Sequence, residues 1–167
     1  MPSSDQGITA KRYRVIPRSL IFLFDANDRV LLLKGAETKR LWTGLFNGIG
    51  GHIEPGEDIM EAALRELQEE TGIVGVDLCF CGQIMVDVSD DTGVAIFLFR
   101  GDYGGDDFVH SPEGQLVWIS LDRLLEIPTV EDLPVLLPKI VNHQGSDPIL
   151  IGKYQYGLDG ELKISFH

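Results

Sequence analysis

Three glutamates spaced at i, i+3 and i+4 carry the strongest chemical signal in the sequence. On a helix with about 100° per residue, Glu66, Glu69 and Glu70 lie together along one edge. Carboxylates this close repel one another, so a helix built only for stability would separate them. A hard divalent cation such as Mg²⁺ prefers oxygen ligands and would remove the repulsion. The spacing therefore predicts a metal site on one edge of a helix.

The helix that carries these glutamates is predicted from its two ends and its apolar positions. Asp58 is a suitable N-cap, with Glu61 three residues later, and Gly72 is placed to end the helix. A stripe of apolar side chains should face the core, and its predicted members are Ile59, Met60, Ala63, Leu64 and Leu67.

The spacing over residues 51–73 resembles the sequence motif of the Nudix hydrolases. Gly51 is followed after five residues by Glu57, and after seven more by Arg65–Ile73 (RELQEETGI), which agrees with the Nudix box at every fixed position. The alternative is an exposed acidic helix face without a ligand. That alternative requires the glycines and Arg65 to fit the motif by coincidence.

The resemblance implies a metal-dependent attack of water on a nucleoside diphosphate linkage, with Mg²⁺ as cofactor and Mn²⁺ able to substitute. It makes Glu66, Glu69 and Glu70 the metal ligands, together with the backbone carbonyl of Gly50. One carboxylate must hold or deprotonate the attacking water, and Glu69 or Glu70 is the first choice.

The resemblance also pairs Arg65 with Glu57, which would fix the loop against the helix. A guanidinium is always charged and forms a bidentate fork with a carboxylate, so such a pair would lock the loop geometry. Glu113, five residues before Trp118, matches the position of a further metal ligand or base in the MutT-type branch. An ordinary acidic loop residue is the alternative for Glu113.

The stretch 41–51 (LWTGLFNGIGG) resembles the same MutT-type branch, the (deoxy)nucleoside triphosphate pyrophosphohydrolases that include the 8-oxo-dGTP diphosphatases. In that branch the asparagine matching Asn47 contacts the purine edge, and acidic residues that contact the base match Glu131 and Asp132. Where members often have a stacking Trp, this chain has Thr129 and Val130. A preference for oxidised guanine is therefore left open.

Substrate phosphates would need cations, which are scarce in this chain. Lys34, Lys39 and Arg40 are grouped before the glycine-rich segment and could contact a triphosphate; taken singly, each is better explained as a solvent-exposed charge. The expected substrate is a small-molecule nucleotide. Hydrolysis of ADP-ribose, a nucleotide-sugar or a dinucleoside polyphosphate, isomerisation of an isoprenoid diphosphate, and a non-catalytic nucleotide-sensing domain are the alternatives. The intact box argues for catalysis.

Composition limits the class of partner. The chain of 167 residues has 26 acidic and 14 basic side chains and a formal charge of −12. Duplex nucleic acid and anionic membranes present phosphates that require Lys and Arg, so neither is an expected partner. No secretory or membrane-spanning apolar run is present, and we expect a cytoplasmic protein. The sequence is compatible with a monomer or a homodimer.

The predicted fold class is α/β, and the resemblance implies a Nudix-type α/β/α sandwich with a mixed central sheet. Residues 1–12 are expected to be a flexible N-terminal segment and residues 13–167 a single Nudix domain. Short helices are predicted over 121–126 and, broken by Pro134 and Pro138, over 131–141. Strands are predicted over 12–24, 29–34, 45–51, 76–88, 93–100, 116–119, 149–156 and 161–166.

Cys79 and Cys81 are the two cysteines of the chain. Two residues apart on a predicted strand, they should point to the same face. The sequence shows no further zinc ligand near them, and we expect buried thiols in a reducing compartment.

Overall fold

The computed structural model describes residues 12–36, 43–109, 112–157 and 159–167. Lys39, Arg40 and nearly all of the predicted flexible segment 1–12 lie outside these ranges. The helices are α1 (Ile59–Thr71) and α2 (Leu133–Ile140), with a 3₁₀ helix at Leu121–Glu126. The strands are β1 (Arg14–Phe24), β2 (Arg29–Gly35), β3 (Phe46–Asn47), β4 (Cys79–Asp87), β5 (Thr92–Asp102), β6 (Gly114–Ser120), β7 (Leu150–Tyr156) and β8 (Leu162–Phe166).

The described strands form one mixed sheet in the order β3-β2-β1-β5-β4-β7-β8, with β6 paired to β2. β1 runs parallel to β5 along its whole length, and β4 runs parallel to β7. β2 leaves β1 early, because the two strands share a register only at Leu23–Leu31 and Phe24–Val30. The remaining edge of β1 is therefore available to another segment of the chain.

Side-chain alternation along β1 divides the core into two layers. Phe22 and Phe24 belong to a cluster that includes the buried side of α2, whereas Ile21 and Leu23 belong to a cluster that includes α1. The sheet is thus covered by α1 on one face and by α2 on the other. This arrangement confirms the predicted α/β/α sandwich with a mixed central sheet.

Both predicted ends of α1 are confirmed. The Asp58 carboxylate accepts hydrogen bonds from the backbone N–H groups of Met60 and Glu61, at 2.8 and 2.9 Å, and the Glu61 carboxylate accepts from the Asp58 N–H at 2.9 Å. Gly72 adopts a left-handed conformation at φ 75°, and its N–H donates to the Gln68 carbonyl at 2.8 Å. A capping box and a glycine C-cap therefore fix the length of the helix.

The predicted buried stripe of α1 is wrong at Leu64, which is 41% exposed. Ala62, Glu70 and Thr71 are buried instead, along with the predicted Ala63 and Leu67. The helix is rotated about its axis relative to the expectation. The reason is that Glu70 faces the sheet edge rather than solvent, which turns Leu64 outward.

The predicted break in the second helix does not occur. Pro134 lies in the first turn of α2, where N–H groups need no intrahelical acceptor, and the helix continues through Pro138 to Ile140. The Val141 N–H still donates to the Leu137 carbonyl at 3.0 Å. Neither this helix nor α1, the two α-helices in the described part of the chain, is long and apolar enough to cross a bilayer.

We expect Asp58→Ala to lower the free energy of unfolding by about 1 kcal/mol, because two N–H groups at the start of α1 lose their acceptor. Urea unfolding at an unchanged m-value measures the effect. Asp90→Ala, the same substitution at an exposed turn position, is the control and should change stability by less than about 0.5 kcal/mol. Equal effects of the two substitutions would show that the capping box does not stabilise the helix.

Candidate active site

The segment before α1 follows the edge of β1 that β2 leaves free. The Ser19 N–H donates to the Gly51 carbonyl at 2.9 Å, and the Ile21 N–H donates to the Ile49 carbonyl at 2.7 Å. In an extended segment, the backbone N–H and C=O groups of alternate residues point to opposite sides. The backbone N–H of Gly50, which lies between Ile49 and Gly51, therefore points away from β1. This N–H donates to Glu70 Oε2 at 3.0 Å. The segment therefore connects the sheet edge to a carboxylate of α1.

Two positions in this segment require glycine. A Cβ at Gly50, whose φ is 145°, would lie 2.3 Å from the Ser19 carbonyl oxygen. A Cβ at Gly51 would lie 2.5 Å from Glu66 Oε1. Both distances are far below van der Waals contact, so any larger residue would displace the strand or the carboxylate. Glu66 and Glu70 thus lie against bare backbone.

Arg65 connects the loop to the helix through a bidentate ion pair. Its Nε and Nη2 donate to the two Glu57 oxygens at 2.6 and 3.0 Å, as the resemblance predicted. Nη2 also donates to the His52 carbonyl at 2.9 Å. Nη1 donates to Glu66 at 2.8 Å and to Glu69 at 3.1 Å. One guanidinium therefore holds three carboxylates and a loop carbonyl in fixed positions.

Glu70 and Glu113 form the second part of the acidic site. Their carboxyl groups lie within hydrogen-bonding contact. Burial raises the pKa of Glu70 well above its ordinary value; the Gly50 N–H opposes this rise, while the negative charges of Glu113 and Glu66 add to it. Two carboxylates in contact cannot both ionise easily. The contact with Glu113 therefore favours the protonated form of Glu70.

The three helix glutamates occupy different environments. Glu70 is buried at 5% exposure, and the Glu66 side chain is 14% exposed. The Glu69 side chain is 61% exposed and accepts from the same Arg65 nitrogen as Glu66 does. In the described part of the chain, these carboxylates are not gathered into a group with all ligand atoms within 4.8 Å. The reason is that Arg65 holds Glu66 and Glu69, whereas Glu70 faces Gly50.

The donor set fits a hard divalent cation. Glu66, Glu70 and Glu113 offer only oxygen atoms, which are the ligands that Mg²⁺ and Mn²⁺ prefer. The backbone of Gly50 lies next to these carboxylates, because its N–H bonds Glu70. A cation there would favour the ionised form of both Glu70 and Glu113.

The residues expected to contact a base lie around β3. The Phe46 N–H donates to the Pro128 carbonyl at 2.8 Å, and the Val130 N–H donates to the Phe46 carbonyl at 3.1 Å. These bonds hold residues 128–130, which directly precede Glu131 and Asp132, beside Phe46, the neighbour of Asn47. The Asn47 amide oxygen accepts from the Gly48 N–H at 2.7 Å. Lys34 Nζ lies 5.9 Å from the centre of the Phe46 ring, on the strand next to Asn47.

Tyr154 lies next to a residue expected to contact a base, and the sequence did not predict this. It is 3% exposed on β7, and its hydroxyl lies beside the Asp132 carboxyl. Burial raises the pKa of Asp132, and the nearby Glu131 adds to the rise. Alternation along β7 predicts that Tyr154 faces inward but not which side chain it meets. The His52 carbonyl was missed as well, because no sequence signal marks a backbone acceptor.

Comparison with known proteins gives a consistent result. The family model described as NUDIX domain matches residues 15–140. An uncharacterised Nudix hydrolase, YvcI of Bacillus subtilis, is 28% identical over 145 residues, which cover 84% of this chain and 87% of the relative. An oxidized purine nucleoside triphosphate hydrolase of Danio rerio is 33% identical over 97 residues, which cover 58% of this chain and 61% of the relative. The crystal structure of a MutT protein from Bacillus halodurans superimposes with a TM-score of 0.75 at 26% identity, covering 91% of this chain and 97% of that one.

We expect Arg65→Lys and Glu57→Gln each to lower kcat/KM for a nucleoside triphosphate by about 10-fold or more, because an ammonium cannot form the bidentate fork. The double variant should lose little beyond either single variant, since both changes break the same pair. Arg123→Lys alters an exposed arginine that bonds Glu126 at 3.0 Å and is the control. Independent, additive losses in the double-mutant cycle would contradict a role through this pair.

Proposed function

The chain belongs to the Nudix hydrolases, of MutT-like type, and we propose that it hydrolyses (deoxy)nucleoside triphosphates to nucleoside monophosphate and pyrophosphate with Mg²⁺. The observation that carries this proposal is the acidic site at Gly50 and Gly51, where Glu70 accepts from the Gly50 N–H and contacts Glu113 while Glu66 lies against Gly51. A nucleotide polyphosphate is itself anionic. It can enter such a site only with cations that neutralise both partners.

Glu66, Glu70, Glu113 and the Gly50 carbonyl are the residues we propose to hold the cation, with Glu69 as a further ligand on the exposed side. When bound, the cation lowers the pKa of water and neutralises charge on the phosphoryl oxygens. Arg65 keeps Glu66 and Glu69 in place through its bonds at 2.8 and 3.1 Å. Its contribution is to position the ligands rather than to react.

The Glu70–Glu113 pair is our candidate for the proton acceptor. A general base must lie within reach of the attacking water at the cation. Glu70 is bonded to Gly50 and in contact with Glu113, whereas Glu69 is 61% exposed and bonded to Arg65. We therefore favour Glu70 or Glu113 over Glu69 for this role.

The base site we propose consists of Asn47, Glu131 and Asp132. A side-chain amide offers donors and an acceptor, and a carboxyl with a raised pKa can do the same while it is protonated. This combination matches a purine edge, which presents donors and acceptors side by side. The Danio rerio relative bears the name of an oxidized purine nucleoside triphosphate hydrolase, which supports a purine substrate. Lys34 is our candidate for a phosphate contact, and Arg40, outside the described residues, stays a prediction.

A substrate panel with Mg²⁺ tests the reaction class. It should contain the four dNTPs, 8-oxo-dGTP, ADP-ribose, a nucleotide-sugar and a dinucleoside polyphosphate, with pyrophosphate and orthophosphate measured separately. We expect pyrophosphate and a nucleoside monophosphate from triphosphates. Cleavage of ADP-ribose, the nucleotide-sugar or the dinucleoside polyphosphate without cleavage of any triphosphate would overturn the proposed substrate. No cleavage of any substrate would point to a nucleotide-sensing domain.

The metal requirement is tested by chelation and by Glu70. Activity should be lost with EDTA and return with Mg²⁺ or Mn²⁺. Glu70→Gln should lower kcat by on the order of 10³, because the lost charge acts on the transition state. Glu126→Gln removes an exposed carboxylate, 63% exposed, and should leave kcat unchanged. Near-full activity of Glu70→Gln with an intact fold would rule out this acidic site.

The base site is tested by Asn47→Ala. If the amide contacts the purine edge, the loss should be about 1–3 kcal/mol in kcat/KM for purine nucleotides and much smaller for pyrimidine nucleotides. Between dGTP and 8-oxo-dGTP we expect at most a preference, since Thr129 and Val130 cannot stack as a Trp would. The measurement compares dGTP, 8-oxo-dGTP, dATP, dCTP and dTTP. An equal loss for all five would make Asn47 a structural residue that holds the Gly48 N–H.

A further inference from the structure

Away from the acidic site, the fold brings together two thiols and an imidazole. Cys79 and Cys81 lie at the start of β4, and His143 follows the C-terminal end of α2. Their potential ligand atoms all lie within 4.8 Å of one another, and Cys79 Sγ is 3.9 Å from His143 Nδ1. Cys81 is 0% and His143 is 8% exposed, whereas Cys79 is half-buried. The expectation that the cysteines have no further ligand nearby is therefore wrong, because His143 lies 64 residues from Cys79 in sequence.

The strand geometry explains why the two thiols approach each other. In a regular strand, residues two apart are separated by roughly 6.6 Å along the strand axis. The register between β4 and β5 shifts between Phe80 and Gly82, so Cys81 stands at an irregularity with no partner residue on β5. A β-bulge changes the direction in which a side chain points. Here the bulge is at Cys81, where both sulfur atoms come close to the same imidazole.

The hydrogen bond on the other side of the ring selects the nitrogen that can bind a metal. His143 Nε2 lies 3.3 Å from the Pro148 carbonyl oxygen. A carbonyl only accepts, so Nε2 carries the proton and Nδ1 presents its lone pair toward Cys79. A backbone carbonyl behind the distal nitrogen is the usual support of a metal-binding histidine. The ring is therefore already oriented for coordination.

Arg100 is a buried cation next to this cluster. It is the β5 partner of Cys79 and is 8% exposed. Burial, with Cys79 adding to the effect, raises the pKa of the Cys81 thiol, and the positive charge of Arg100 opposes that rise. Its Nη1 donates to the His143 carbonyl at 3.4 Å, which joins the arginine to the same group. Two thiolates balance the charge of a divalent ion, so the occupied site would carry no net charge of its own in these buried surroundings.

We propose that Cys79, Cys81 and His143 form a metal site of the Cys₂His type that binds Zn²⁺. Thiolate and imidazole ligands select a soft or borderline ion, in contrast to the all-oxygen acidic site. In tetrahedral coordination, the ligand atoms around zinc are roughly 3.5–3.8 Å apart. The 3.9 Å between Cys79 Sγ and His143 Nδ1 is close to that value. Three protein ligands leave a fourth position, which suits water.

The site would join β4 to the chain that leaves α2. Binding of zinc to the folded state alone should raise the melting temperature, by about 5–10 °C at a free concentration 100-fold above Kd. The test uses the full chain, purified without a polyhistidine tag under reducing conditions. Excess Mg²⁺ is present throughout, to fill the acidic site with an ion that prefers oxygen.

Zinc binding is measured by metal analysis after dialysis and by competition with a chromogenic chelator, and cobalt substitution reports the ligands. We expect one zinc per chain and, with Co²⁺, a sulfur-to-metal charge-transfer band with intense visible bands of a tetrahedral site. Cys79→Ser and His143→Asn should each weaken zinc binding by about 10-fold or more. Both variants should keep the far-ultraviolet circular dichroism of the folded chain.

Two controls separate this site from other zinc binding. His167→Ala removes an exposed histidine at the end of the chain and should bind zinc as the parent does. Glu70→Gln should also retain tight zinc binding, since it alters only the acidic site. Zinc affinity that falls with Glu70→Gln but not with Cys79→Ser would overturn the proposal. So would a cobalt spectrum without sulfur ligation, or a parent chain that binds no zinc with both cysteines reduced.

Discussion

The structure depends on how three like charges are accommodated on one edge of α1. Glu66, Glu69 and Glu70 would destabilise an isolated helix. Arg65 compensates the first two, with bonds of 2.8 and 3.1 Å. Glu70 is accommodated differently: its carboxylate accepts from the Gly50 N–H, while burial and the contact with Glu113 favour its uncharged form. The helix therefore carries its negative charge only because the loop and the sheet edge supply donors at fixed places.

Those donors exist because of the sheet topology. β2 pairs with β1 over only two residues and otherwise pairs with β6 and β3. Most of this edge of β1 is therefore not paired with β2. The segment around Gly50 occupies this edge, with backbone bonds from Ser19 and Ile21. A segment held on one side by a strand presents its other side in a defined orientation. The acidic site is thus formed between a strand edge and a helix, and the glycines allow the two to meet.

Features encoded by short spacing could be predicted from the sequence, and features that depend on distant contacts could not. The capping box at Asp58 and the glycine C-cap follow from residues a few positions apart, and the Arg65–Glu57 pair follows from the family resemblance of the same local motif. The rotation that exposes Leu64 depends instead on where the sheet edge lies relative to α1. Pairing of Glu70 with Glu113 fits the resemblance, but only the folded chain gives its effect on the pKa. The approach of His143 to the cysteines has no sequence signal, since β4 and α2 are joined through the whole of β5 and β6.

α2 connects the proposed base site at its N-terminal end to the group of two cysteines and a histidine at its C-terminal end. Asp132 precedes its first residue and lies beside Tyr154 of β7, while His143 follows its last turn and lies beside Cys79 of β4. β4 and β7 are adjacent and parallel in the sheet. A helix of eight residues is only about 12 Å long, and its buried face is made of Leu133, Leu136, Leu137 and Ile140. Because α2 is short and packed as a unit, contacts at both ends together with this apolar face determine where Asp132 stands.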